Sequence, residues 1–264
     1  MVLWLMQRIA LLLQYLGTNY YGWQRQPKDV SVQQVLEETI EAICGHRVTL
    51  YGAGRTDTGV HAAGQVAHFD TTSVIPADRW ARILNSRLPK DILVRQSVAV
   101  PGEWHARFSA IWRQYRYTLF TAAVPNLFVR SLSWHYYRYA LDADRMQSAL
   151  TPMLGEQELK AFQRSGSDRR HARLYVQEAR CWQERDFVLV EVKASGFLYG
   201  MMRLLVGMLV EVGSGRRSLA EFHQIWREHQ RHVVKYAAPP QGLCLLGWVM
   251  IIIPFKRKTL VLLT

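Results

Sequence analysis

The stretch that most limits the fold lies late in the chain. Two strand-like runs, Leu174–Gln183 and Phe187–Lys193, are separated only by Glu184-Arg185-Asp186. So short a polar gap reads as a hairpin, and a hairpin means antiparallel sheet. Further strand-like runs are Ile9–Tyr15, Arg47–Tyr51, Gln65–Phe69, Ile92–Val98, Gln114–Thr121 and Leu243–Ile253. Helical signals are interspersed among them. Ser31-Val32-Gln33-Gln34 has the form of a capping box, with an apolar stripe at Val32, Val35, Leu36, Ile40 and Ile43 and Gly45 as the C-terminal cap. A second helix is expected over Ala77–Leu88, with Trp80, Ile83, Leu84 and Leu88 inward. A third runs from an Asp142 cap to about Leu154, and a strongly apolar one spans Phe197–Val212. Ser218-Leu219-Ala220-Glu221 is a second capping box and starts a helix with Phe222, Ile225 and Trp226 inward. Strands and helices mix without a strict β-α-β rhythm. The fold class is therefore α+β with antiparallel sheet, not a doubly wound parallel fold. A boundary near residue 110 divides the chain into an N-terminal domain, 1–110, and a C-terminal domain, 111–264.

Charge narrows the partner. Thirty-three Lys and Arg against 21 Asp and Glu leave +12 on 264 residues. Such a field concentrates polyanions and speeds their encounter, so nucleic acid leads and an anionic membrane surface comes second. A basic protein that is merely soluble would carry the same charge. The basic residues recur in clusters: Arg25 and Lys28, Arg79 and Arg82, Arg107, Arg113 and Arg116, and Arg164 with Arg169-Arg170-His171. Three cysteines, Cys44, Cys181 and Cys244, are odd in number and far apart, which fits neither a disulfide framework nor zinc spacing and suits a reducing, cytoplasmic compartment. The apolar start is cut by Gln7 and Arg8, Leu243–Ile253 is too short to span a bilayer as a helix, and Phe197–Val212 contains Arg203, so no membrane association is expected.

The chemistry concentrates in Gly52-Ala53-Gly54-Arg55-Thr56-Asp57-Thr58-Gly59-Val60-His61-Ala62. A dinucleotide fingerprint would need glycine where Asp57 stands, and a P-loop would need Lys-Ser/Thr where Val60-His61 follow Gly59. Neither fits. What remains is a tight loop presenting Arg55 and Asp57 two residues apart. Glycines let the backbone turn and let a ligand approach, and a carboxylate near an arginine stays ionised as a nucleophile or base. On residue types alone, an Asp57 that caps a turn and pairs with Arg55 at the surface is an equal reading. His61 and His68 have no companions at metal-ligand spacing, so no metal is expected.

The stretch Gly54–Ala62 resembles the signature of the TruA family of tRNA pseudouridine synthases. The similarity continues in order through Tyr15, Gly17-Thr18 and Tyr21-Gly22-Trp23-Gln24, then Ser31-Val32-Gln33 with Leu36-Glu37. It extends through His105-Ala106-Arg107-Phe108-Ser109-Ala110 and Tyr115-Arg116-Tyr117. It closes with Phe197-Leu198-Tyr199, Met202-Arg203, Val206-Gly207, and Ala238-Pro239 with Gly242-Leu243. It covers roughly residues 8 to 250. Leu16, Ser195-Gly196 and Gly200 depart from the family's usual residues, the last three close to Arg203.

The resemblance implies a pseudouridine-synthase-like fold, two mixed or antiparallel-sheet domains flanking a basic catalytic cleft. It implies isomerisation of uridine at positions 38, 39 and 40 of the tRNA anticodon arm, by a homodimer that uses no cofactor. Asp57 becomes the catalytic aspartate, Tyr115 packs on the target uracil, Arg203 pairs with Asp57, and Arg55, His105, Arg107 and Phe108 join Tyr115 in substrate binding. The residue types agree. A tyrosine ring is a stacking platform for a base, although Tyr115 and Tyr117, two apart on a strand, are also an ordinary core pair. An arginine in an apolar helix calls for a carboxylate partner or for snorkelling to the surface. The target base must leave its stack, and Arg55 suits either filling the gap or holding the displaced phosphate. Two other functions keep the same charge and aromatics: a non-catalytic tRNA-binding protein, and an N-glycosidase that uses Asp57 to release the base.

Overall fold

The computed structural model describes residues 6–164, 166 and 171–250. The apolar start before Met6, Arg169-Arg170 and the basic tail Lys256-Arg257-Lys258 lie outside the described residues. The described residues fall into two compact units, one within 1–111 and 245–264, the other within 112–244. Helices and mostly antiparallel sheet are intermixed, the α+β class expected from the sequence.

In the first unit the central strand β1 (Gln7–Tyr15) pairs antiparallel with β3 (His61–Thr71) on one side and β4 (Ile92–Val100) on the other. Alternation assigns the faces. Ile9 lies opposite Phe69, and Phe69 meets Trp80 edge-on at 5.1 Å, so helix α2 (Trp80–Asn85) covers that face. On the other face Ala10 and Val66 pack with Trp104 and Ala106 from the segment after β4. The sheet is thus covered on both sides, which is why β1 is apolar at successive residues.

Helix α1 (Val32–Cys44) starts where expected. The Ser31 hydroxyl accepts the Gln34 N–H, and Gly45 closes the helix at φ 75°. The reciprocal half of the capping box is replaced: the Gln34 side chain donates to Glu38 at 3.0 Å. The strand expected over Arg47–Tyr51 shrinks to β2 (Tyr51–Gly52). Its physical reason is Glu37, a buried carboxylate of α1 that takes the Leu50 N–H at 3.0 Å and so removes it from any ladder. The second helix is also shorter than expected, a 3-10 turn at Ala77–Arg79 followed by α2.

In the second unit β8 (Arg173–Glu184) and β9 (Phe187–Ala194) form the expected hairpin. Glu184 pairs with Phe187, leaving Arg185-Asp186 as the loop, with Arg185 at φ 52°. β9 pairs antiparallel with β5 (Ala110–Phe120), β8 with β7 (Gly155–Glu158), and the short β6 (Trp134–His135) runs parallel to β5. Helix α3 (Ala143–Leu150) is capped by Asp142, which accepts the Arg145 N–H at 2.9 Å. Helix α4 is Met201–Gly213 rather than Phe197–Val212, because Gly200 sits at φ 70° and cannot continue a right-handed helix backwards. Helix α5 (Leu219–Arg227) carries the full Ser218–Glu221 capping box. The late strand β10 is Leu243–Met250. Among the described residues, no helix is long and apolar enough to cross a membrane.

Candidate functional site

The loop between β2 and β3 is held by a second loop, residues 16–23, that follows β1. Four bonds tie residues 15–23 to the loop and to His61, the first residue of β3. The Trp23 N–H donates to the Thr56 carbonyl at 3.1 Å, and the Gly59 N–H to the Tyr20 carbonyl at 3.2 Å. The Gly17 N–H donates to His61 Nδ1 at 3.0 Å, and the Tyr15 and Thr56 hydroxyls bond at 2.7 Å in the interior. From within, Gln65 donates to the Gly54 carbonyl at 2.8 Å. Within the loop the Val60 N–H returns to the Asp57 carbonyl at 3.1 Å, a four-residue turn with Gly59 in its third position at φ 77°.

Two glycines make this approach possible. Gly22 has φ 80°, and a Cβ there would lie 2.5 Å from the Thr56 carbonyl oxygen and 3.1 Å from the Asp57 carbonyl carbon. A Cβ at Gly17 would run into the Val60 carbonyl. The backbone on either side of Asp57 is therefore held from outside at Gly54, Thr56 and Gly59, with Thr56 and Val60 buried, Asp57 half-buried and Arg55 exposed. His61 is buried and uses Nδ1 as an acceptor, so a neutral ring carries its proton on Nε2.

The segment after β4 holds the second expected group. His105, half-buried, accepts the Arg107 and Phe108 N–H groups on Nδ1 at 3.1 and 3.4 Å. Phe108 is 75% exposed and Arg107 places its guanidinium 5.7 Å from that ring. Arg8 ties the segment down. Its guanidinium forms a two-point pair with Asp70 at 2.7 and 2.8 Å and also donates to the Trp104 and Gly102 carbonyls. The Asp70 hydrogen bonds raise the Arg8 pKa, and those from Arg8 lower that of Asp70. His68, opposite Ala10 on the same face, accepts the Ala106 N–H at 3.2 Å. Burial, with His105 and Arg8 nearby, pushes its pKa down to about 4.

Tyr115 and Arg203 belong to the second unit. Tyr115 lies on β5 opposite Val192, is buried, and meets Phe197 edge-on at 4.6 Å. Tyr117, two residues on, is a core residue: its hydroxyl donates to the Pro239 carbonyl at 2.7 Å, and burial raises its pKa well above the ordinary value. Arg203 lies in the first turn of α4, half-buried, with Nε donating to the Ala238 carbonyl at 2.7 Å. The Ala238 N–H returns to the Arg203 carbonyl at 2.9 Å. Gly207, one turn later, leaves room for the Tyr236 carbonyl. The motif Ala238-Pro239 thus supports both Arg203 and Tyr117.

Of the basic clusters, Arg79, Arg82, Arg107 and Arg164 are exposed. Arg116 is engaged by Glu191 at 2.6 Å, and Arg25 by Glu37 and Glu38 at 3.2 and 3.1 Å. Among the described residues no group of three or more His, Cys, Asp or Glu sits together as a metal site would require. The support roles of Gln65, His61, Glu37 and Arg8 were not singled out from sequence. Each bonds to a residue between 11 and 96 positions away, and single residue types do not announce such partners.

A family model described as tRNA pseudouridine synthase matches residues 11–109 and 149–248. The tRNA pseudouridine synthase A of a Picosynechococcus strain is 56% identical over 91% of this chain and 88% of its own length. That of Rippkaea orientalis is 59% identical over 91% of this chain and 82% of its own. That of a Nostoc strain is 58% identical over 91% and 85%. Among solved structures, a Cbf5-Nop10-Gar1 complex is 14% identical with a TM-score of 0.36 over 76% of this chain and 45% of that chain, too slight a likeness to bear on function. By the family match and these identities, the chain belongs to the tRNA pseudouridine synthases, isomerases that convert uridine to pseudouridine in tRNA.

Proposed function

We propose that Asp57 is the carboxylate that acts on the target uridine, and that the targets are positions 38, 39 and 40 of the anticodon arm. The observation that carries this reading is the grip on the loop: hydrogen bonds from other segments at Gly54, Thr56 and Gly59 hold the chain around a half-buried aspartate. The reaction breaks N1–C1′ and joins C5 to C1′. N1 gains a proton and C5 loses one, so atoms balance without a redox partner. An ionised carboxylate serves as a nucleophile toward the base or sugar, or stabilises positive charge at C1′. Both routes require an Asp57 held in place, and fixed positioning is worth orders of magnitude in rate.

Tyr115 is proposed to pack on the uracil and Arg203 to pair with Asp57. His105, Arg107 and Phe108 are proposed to bind the RNA, and Arg55 to fill the space left by the displaced base. On this reading the N-terminal domain, 1–110, carries the Asp57 loop and the C-terminal part of the chain, 111–264, completes a basic cleft, although the stretch from Leu245 groups with the first unit. The working form is a homodimer in the cytoplasm. Asp57→Ala tests the core of the proposal. The variant should bind tRNA as the parent does and yield no pseudouridine in the anticodon arm. Product formation by Asp57→Ala would overturn it. Free uracil released by the parent protein would instead favour base excision, the second chemistry open to the same carboxylate.

A further inference from the structure

Next to the Asp57 loop, the first unit carries a surface strip of rings that neither the core nor the reaction requires. Tyr51 of β2 is 48% exposed and stacks on the buried His68 ring at 5.2 Å and 21°. It meets His105 at 5.4 Å, and His105 meets Phe108 at 4.4 Å and 35°. His68 supports His105 edge-on at 4.6 Å. The strip ends in Phe108, a ring that is 75% exposed yet rests on a fixed base. That base is set by the His105 Nδ1 acceptor bonds and by the Arg8 ties to the Trp104 and Gly102 carbonyls. A rigid exposed ring loses little entropy when a ligand covers it. Arg107, over the Phe108 ring, adds a cation at the same edge.

An exposed phenylalanine ring with a guanidinium 5.7 Å from its centroid and further rings tilted beside it fits one ligand chemistry, an unpaired nucleobase with its phosphate. We propose that Tyr51, His105 and Phe108 form a stacking platform for an unpaired base of the tRNA, with Arg107 taking the adjoining phosphate. This deepens the proposed binding role of His105, Arg107 and Phe108, adds Tyr51, and rests on that reading. A nucleotide other than the target occupies it, because the target uridine must reach Asp57.

The test measures affinity for an unmodified tRNA transcript in the Asp57→Ala background, so that no turnover intervenes. Phe108→Ala should weaken binding by about tenfold, within the range for loss of one aromatic stack. Its salt dependence should keep the parental slope, since no phosphate contact is lost. Phe108→Trp should restore affinity, whereas Phe108→Leu, which keeps apolar area without a ring, should not. Arg107→Ala should lower the salt slope by about one. The thermal midpoint of the Phe108 variants should stay at the parental value. Parental affinity in Phe108→Ala, or equal binding by the Leu and Trp variants, would overturn the platform. A change of oligomeric state in Phe108→Ala would also overturn it, assigning the strip to a protein interface. Pseudouridine yield by the parent protein, assayed separately, tells failure of the platform from failure of the underlying reading.

Discussion

Gly22 and Gly45 allow the role of the clamp around Asp57 to be measured against its own control. Both have a left-handed backbone, φ 80° and 75°. Alanine at either position carries about the same conformational cost, ~1–2 kcal/mol, offset by ~0.4–1 kcal/mol from the stiffer unfolded chain. The surroundings differ. A Cβ at Gly45 meets nothing within 4 Å, so Gly45→Ala should cost no more than the net backbone term, under about 2 kcal/mol, and leave catalysis alone. A Cβ at Gly22 would lie 2.5 Å from the Thr56 carbonyl oxygen. Ordinary contact begins near 3.4 Å, so that carbonyl must retreat by about 0.9 Å. The same oxygen accepts the Trp23 N–H, so the retreat stretches a hydrogen bond worth ~1 kcal/mol. Gly22→Ala should therefore be destabilised by roughly 1–3 kcal/mol in total, about 1 kcal/mol more than Gly45→Ala.

With Asp57 as the proposed reacting carboxylate, the expected catalytic consequence is larger than the stability change. A shift approaching 1 Å next to a reacting group costs on the order of 10²-fold in rate. Single-turnover pseudouridine formation at saturating tRNA, with urea denaturation of the same preparations, separates the two effects. The expected pattern is a rate about a hundred times below parent for Gly22→Ala and a parental rate for Gly45→Ala. If both variants react at the parental rate while Gly22→Ala shows its stability loss, the position of the Asp57 main chain is not what the clamp contributes.

Two further outcomes follow from charge. The His68 pKa near 4 lies below its ordinary 6.5, so the unfolded chain takes up a proton on this ring between those values and the native chain does not. Stability from this group is therefore complete above pH 6.5 and lost as pH falls toward 4, by up to about 2 kcal/mol between pH 7 and pH 5. Urea midpoints across that range should fall less steeply for His68→Gln, which keeps an acceptor for the Ala106 N–H. Equal slopes in the two proteins would refute the assignment. Binding of tRNA should also be salt-sensitive: with about five phosphates neutralised, a fourfold rise in salt should weaken affinity by roughly two orders of magnitude. A flat response would contradict a basic RNA-binding face.

Local signals in the sequence were legible where one residue type settles one bond. Ser31, Asp142 and Ser218 each cap the helix expected of them, Gly45 ends its helix, and the gap at Arg185-Asp186 makes the hairpin. Errors arose where a distant group competes for a local one. The Arg47–Tyr51 strand is curtailed because Glu37 claims the Leu50 N–H. The start of α4 moved because periodicity alone cannot tell that Gly200 is left-handed, and glycine is tolerated within helices at modest cost.

The Asp57 loop shows the same limit at the place where it matters most. Its own residues, rich in Gly, Thr and Asp, describe an ordinary turn, and on composition a turn-capping aspartate explains them as well as a functional one does. Yet the turn is closed by main-chain atoms, Val60 N–H to the Asp57 carbonyl. Features that hold the loop lie elsewhere in the chain, in the small size of Gly17 and Gly22 and in the bonds from Tyr15, Tyr20, Trp23 and Gln65. A loop gripped from outside at three of its residues is rigid for reasons unrelated to its own turn propensity. That rigidity is what separates a poised carboxylate from a solvated one. The Gly22 and Gly45 pair probes this distinction, because it alters the grip without altering a single residue of the loop.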